Sequence, residues 1–137
     1  MVRSSELEQL VATWFAAASR GDGSLVDQHV SMDEGARLIG SDPAEWFRGG
    51  KAVTDFLMGE VKGAAGSVQF DATDIEAFSE GTVGWATAAL TIRMPDKRQV
   101  LPRWSAVFHR EGTTWKIVQL HASIAVRNEE VGWTYPS

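Results

Sequence analysis

Arg103, Ser105, Gln119, His121 and Ser123 are the residues of this chain whose types and spacing could do chemistry. Arg103 and Ser105 alternate along one segment, and Gln119, His121 and Ser123 along another. In β-strands, each set therefore lies on a single face. An arginine beside an imidazole could hold an acidic or carbonyl group. A neutral imidazole in a cavity could accept or donate a proton. No motif signals a Ser-His-carboxylate arrangement, so Ser123 and Gln119 fit a hydrogen-bond network better than a nucleophilic centre.

The element that must position these groups is a hairpin. Period-2 patterning runs from Gln99 to Arg110 and again from Thr114 to Ala125, with Glu111-Gly112-Thr113 between them. A three-residue loop pairs Arg110 with Thr114 and sets Arg103 opposite His121 and Ser105 opposite Gln119. A loop one residue shorter or longer sets Trp104 opposite His121 instead. The three-residue register gathers the polar residues on one face. The reverse face is apolar, with Trp104, Ala106, Phe108, Val118 and Leu120. A strand pair apolar on both faces is covered on both sides. With helices on one side, the Trp104 face is expected to be a subunit interface, most simply of a two-fold homodimer. Cover by the C-terminal tail is the alternative. The polar face is then concave, where Arg103 needs a partner: an internal carboxylate such as Glu45 or Asp42, a bound anion, or water at a cavity mouth. For His121 the alternative to chemistry is a hydrogen-bonded core histidine.

Upstream, Leu7, Leu10, Val11, Trp14, Phe15 and Ala18 follow the spacing of an amphipathic helix, capped at Ser4 or Ser5 and ended by Gly21. A second short helix is expected from Ser24 to His29 and a strand at Ala36–Gly40. Asp42-Pro43 reads as a helix start, with Glu45, Trp46 and Phe47 in its turn and Gly49-Gly50 breaking it. Lys51 to Val61 reads as a third helix. Strands follow from Val68 to Ser79 and from Thr82 to Met94. Helices first and antiparallel strands after them define an α+β fold in one domain, residues 1–137, with 127–137 an extended tail whose Trp133 and Tyr135 dock on the rest of the protein.

Composition removes several classes of function. The chain has 137 residues, a net charge of −5, 44% hydrophobic residues and no cysteine. A chain of that length buries about two-thirds of its unfolded surface and needs no staples. The negative charge, with no basic run beyond Lys97-Arg98, argues against a nucleic-acid partner. Without cysteine there is no disulfide or thiolate chemistry, which fits a reducing cytoplasm. There is no signal-peptide core and no apolar run of membrane-spanning length, so a cytoplasmic location is expected. His29, His109 and His121 lack metal-ligand spacing, and no cofactor motif is present, so no metal or cofactor is expected. Six tryptophans are unusual in a chain this short. Trp14, Trp46 and Trp85 read first as core; converging, they would wall an apolar small-molecule cavity.

Five segments together resemble the SnoaL-like branch of the nuclear-transport-factor-2-like (NTF2-like) superfamily. They are Ser19-Arg-Gly-Asp22, Leu38 through Gly49 with its Asp-Pro-Ala-Glu-Trp core, Gly81-Thr-Val-Gly-Trp85, Arg103-Trp-Ser-Ala-Val107 and Trp115 through Ser123. The resemblance implies an α+β cone, a curved antiparallel sheet around a cavity closed by helices, and dimerisation through the convex sheet face. It also implies polyketide-cyclase, isomerase, dehydratase or epoxide-hydrolase chemistry, or none. The ketosteroid-isomerase positions fall at Trp14, Arg37 and Trp104, which do not match that enzyme's tyrosine, base and acid.

The expectation is a homodimer binding a small, largely apolar molecule that carries an acidic or carbonyl group. Arg103 holds that group, with Gln119, Ser123 and Ser105 around it. His121 is the acid/base for any proton transfer or water addition and elimination, and the three tryptophans wall the cavity. The alternative is a non-enzymatic association module whose working surface is the outer sheet face.

Overall fold

The apolar stripe near the N-terminus folds as its spacing predicts. In the computed structural model, which describes residues 1–134 and 136, helix α1 spans Ser5–Ser19 and buries Leu7, Val11, Trp14, Phe15, Ala17 and Ala18. Ser4 caps it by accepting the Leu7 N–H at 3.2 Å, which satisfies one of the donors a helix start leaves open. Helix α2 spans Ser24–His29, its expected length. A two-residue strand, β1 (Val2–Arg3), precedes α1 and extends the sheet edge; nothing in so short a segment announces it.

Strand β2 (Arg37–Ile39) forms where expected. Asp42-Pro43 does not open a helix. The Glu45 N–H donates to the Asp42 carbonyl at 2.9 Å and the Gly40 N–H to the Glu45 carbonyl at 2.8 Å. These bonds close a tight turn, and the chain returns as β3 (Trp46–Arg48), antiparallel to β2. Between that turn and Gly49-Gly50 there is no room for a helix, and Trp-Phe favours strand. Phe47 stacks on Phe56 with ring centroids 4.4 Å apart. That contact docks β3 on helix α3 (Gly50–Ala64).

The second half of the chain forms β4 (Gln69–Glu80), β5 (Val83–Arg93), β6 (Gln99–Val100), β7 (Pro102–Glu111) and β8 (Thr114–Ile124). The single strand expected from Gln99 to Arg110 is broken at Leu101, where Pro102 has no N–H to continue a ladder. The sheet order is β1-β4-β5-β7-β8-β2-β3, with β6 on β5. Neighbours are antiparallel except β2, which runs parallel to β8, so the sheet is mixed. The tail is not fully extended: Asn128–Val131 make a turn of 3-10 helix, and Trp133 is largely exposed. Tyr135 lies outside the described residues.

Two bulges bend the sheet around the helices. One is in β4 at Asp74-Ile75, where Asp74 takes φ 52°. The other, in β8, leaves Val118 without an opposite residue on β7. The inner face carries Ala77, Ala86, Ala88, Leu90, Trp104, Ala106, Phe108 and Leu120, all buried with α1 and α3 in one core. Small side chains on β5 let the helices lie close. At Gly84 a Cβ would come within 2.3 Å of Leu7 Cδ1. The result is three helices set into a curved sheet, an α+β cone. No described helix is long and apolar enough to cross a membrane.

Candidate functional site

The β7–β8 hairpin forms in a different register from the expected one. Its loop has two residues, Gly112-Thr113, so Glu111 pairs with Thr114, and the Val118 bulge shifts the pairing again. Arg103 therefore faces Ser123, Ser105 faces His121, and Val107 faces Gln119. The two shifts together preserve parity. The five polar residues still share one face, but Arg103 and His121 are not opposite each other.

That face is the outer one. Arg103, Ser105, Gln119 and His121 are exposed and Ser123 is half-buried. With Asp74 and Glu76, Arg103, Ser105, His121 and Ser123 line a shallow, open groove. No carboxylate forms an ion pair with Arg103 among the described residues, and exposure removes the need for one. Glu45 and Asp42 lie elsewhere, on the β2–β3 turn. The expected interface set is reversed as well. Trp104, Phe108 and Leu120 are 5%, 1% and 4% exposed and belong to the core, while Val118 is half-buried on its bulge. Alternation decides which residues share a face, not which face turns inward. Burial of apolar area decides that, and the Trp104-Ala106-Phe108-Leu120 face offers far more of it.

The tryptophans do not converge. Trp46 is 54% exposed, with the Arg48 guanidinium 5.4 Å from its ring centre. Trp85 is on the outer face, stacked on Phe78 at 6.4 Å, and Arg3 lies over Phe78 at 5.6 Å. Of the three expected to wall the cavity, Trp14 alone does so, and Trp104 joins it.

The more enclosed space lies on the inner face. A cavity of about 200 Å³ is bounded by Trp14, Phe15 and Ala18 of α1, by Phe56, Leu57, Glu60 and Val61 of α3, and by Leu38, Gly40, Ser41 and Glu45 around β2 and its turn. Its sheet wall is Phe70, Leu90, Ile92, Val100, Pro102, Trp104, Leu120, Ala122 and Ile124. The deep part is apolar: Phe15, Leu38, Leu90, Trp104 and Leu120 are all buried. Phe15 and Trp104 meet edge to face at 5.2 Å. Solvent reaches the rim at Ser41, Glu45, Glu60 and Ile124.

Two of those rim residues are the ionisable groups of the cavity. The turn places Glu45, whose Oε1 accepts the Asp42 N–H at 2.9 Å. Its side chain lies on Gly40, where a Cβ would sit 2.6 Å from Oε1, so only glycine leaves room for the carboxylate there. Glu60 arrives from α3. Partial burial pushes its carboxyl above the usual value, and the charge of Glu45 adds in the same direction. Such a pair can hold a cation, and the more readily protonated member can donate a hydrogen bond or a proton. Sequence reasoning missed Glu60, yet a signal existed. It follows Phe56 and Leu57 by four and three residues, which sets it at the edge of the inward stripe. Among the described residues no cluster of three or more His, Asp or Glu could hold a metal ion.

A curved sheet closed by helices over an apolar cavity defines the NTF2-like, cystatin-like class. Solved structures agree over nearly the whole chain. An NTF2-like protein of unknown function from Pseudomonas putida KT2440 is 19% identical, covers 92% of this chain and 89% of its own, and superposes with a TM-score of 0.77. A candidate dehydratase of the NTF2-like family from Streptomyces avermitilis is 20% identical, with 89% and 95% covered and a TM-score of 0.72. A candidate ketosteroid isomerase from Shewanella frigidimarina is 14% identical, with 84% and 92% covered and a TM-score of 0.68. No curated protein matches. The SnoaL-like domain model matches residues 7–127, and the chain belongs to that family.

Proposed function

We propose that this protein binds a small, largely apolar molecule in the inner cavity, between α1, α3 and the concave sheet face. The observation that carries the reading is an apolar chamber of about 200 Å³ with carboxylates only at its rim. Small-molecule sites are commonly built this way, mostly apolar with a few placed polar groups. Any acid–base chemistry of the isomerase, cyclase or dehydratase kind falls to Glu60 and Glu45, because His121 faces away from the cavity. The test is a titration with benzyl alcohol followed by tryptophan fluorescence, since Trp14 and Trp104 are in the wall. Wild type and His121→Ala should show the same saturable change. Ala122→Leu and Ala122→Phe, which fill the chamber, should lose it while keeping the wild-type circular dichroism. Unchanged binding in both filled variants would place the ligand elsewhere.

A second reading concerns assembly, and the Phe78–Trp85 stack favours it. Together with Val83 and Val107 it gives the outer sheet face an apolar centre, and exposed apolar patches mark association surfaces. On this reading two copies pair through their outer faces. Sedimentation velocity should find a dimer for wild type and a monomer for Trp85→Glu; a wild-type monomer at micromolar concentration ends the reading.

A further inference from the structure

We propose that the cavity selects a ligand with an apolar body of about eight non-hydrogen atoms and a protonated amine at the rim, held by Glu45 and Glu60. This rests on the cavity being the binding site, as argued above. The size follows from volume: a dry cavity of roughly 150 Å³ takes benzene, so about 200 Å³ takes a somewhat larger molecule.

The sign of the head group follows from the lining. Among the described residues its ionisable groups are Glu45 and Glu60, and no lysine, arginine or histidine lines it. The arginine expected to hold an acidic ligand, Arg103, is on the far side of the sheet. A carboxylate entering this cavity would meet two like charges and no donor cation, whereas an ammonium group meets two carboxylates. Glu45 is already oriented for the task. The Asp42 N–H occupies one side of Oε1, Gly40 supports the chain beneath it, and the rest of the carboxylate is open to a donor.

Trp14 is 8% exposed and borders the cavity, and an indole ring close to a bound ammonium group adds to its attraction once water is excluded.

Three probes of nearly equal shape separate the possibilities: benzylamine, benzyl alcohol and benzoate, each titrated by calorimetry at pH 7 and low salt. Benzylamine should bind about tenfold tighter than benzyl alcohol, since each partly exposed carboxylate supplies a modest attraction, and benzoate should bind weakest. The benzylamine advantage should shrink in Glu60→Gln and vanish in the Glu45→Gln, Glu60→Gln double variant, with benzyl alcohol binding unchanged in both. Benzyl alcohol binding as tightly as benzylamine, or benzoate binding tightest, overturns the amine assignment and leaves the cavity in place. No binding of any of the three overturns the cavity reading itself.

Discussion

The two faces of the β7–β8 hairpin carry different kinds of side chain and have different surroundings. Outward, Arg103, Ser105, Gln119 and His121 stand in solvent with no ion pair to Arg103 among the described residues. Inward, one residue away along each strand, Trp104, Ala106, Phe108 and Leu120 are part of the central core, and Trp104 and Leu120 also wall the cavity. The outer set has the richer chemistry by residue type. The inner set has the enclosure without which such chemistry gains little, because exposed charges and imidazoles act in a high dielectric. The cavity's ionisable groups come from outside the hairpin, from the β2–β3 turn and from α3. Residue type alone points to the outer face, and enclosure points to the inner one.

Substitutions at paired positions can break this contrast. The largest effect is expected for Phe108→Ala. Phe108 is 1% exposed, and truncating a buried phenylalanine costs about 3–5 kcal/mol. His121→Ala on the outer face should change stability by less than about 0.5 kcal/mol. Urea denaturation of the two variants measures both; equal losses would mean that the outer face is covered within the folded chain. A middle-sized effect is expected at the rim. Gly40→Ala drives a Cβ into the Glu45 side chain and should cost about 1–3 kcal/mol, lowering affinity for benzylamine more than for benzyl alcohol.

The smallest effect comes from Glu60. Its carboxyl is raised in the folded protein, so the fold favours the neutral form. The contribution is intact below the ordinary glutamate range and is lost as pH rises through the raised folded value. Glu60→Gln should therefore raise the melting temperature at pH 7 by roughly 1–2 °C and leave it unchanged at pH 3. A melting temperature that falls at pH 7 would show the ionised carboxylate to be stabilising instead.

Much of the fold was legible because its signals are local. Leu7, Val11 and Phe15 mark one helical face, Ser4 supplies the cap, and alternation from Phe70 onward marks strands. The resemblance carried by the Asp-Pro-Ala-Glu-Trp segment and the final strand led to the SnoaL-like family. The site was less legible, for physical reasons. Hairpin register depended on a two-residue loop and on the Val118 bulge, and a bulge in a run of aliphatics leaves no local mark. Taking the apolar Trp104 face for a subunit interface puts the polar face inside, whereas that apolar area is what the core buries. Asp42-Pro43 has the residue types of a helix start, but the bonds from Gly40 and Glu45 made it a turn. Glu60 was hidden among exposed charges of α3, although its distance from Phe56 and Leu57 places it on the rim.

The central claim is that ligands enter the inner cavity and not the outer polar groove. Amide and indole chemical shifts from a ¹⁵N-labelled sample titrated with benzylamine test it most directly. The account predicts saturable shifts of the Trp14 and Trp104 indole N–H signals and of the Glu45, Glu60 and Ala122 amides, with the Ser105, Gln119 and His121 amides nearly still. Shifts concentrated at Arg103, Ser105 and His121, with the Trp14 indole unmoved, would contradict it.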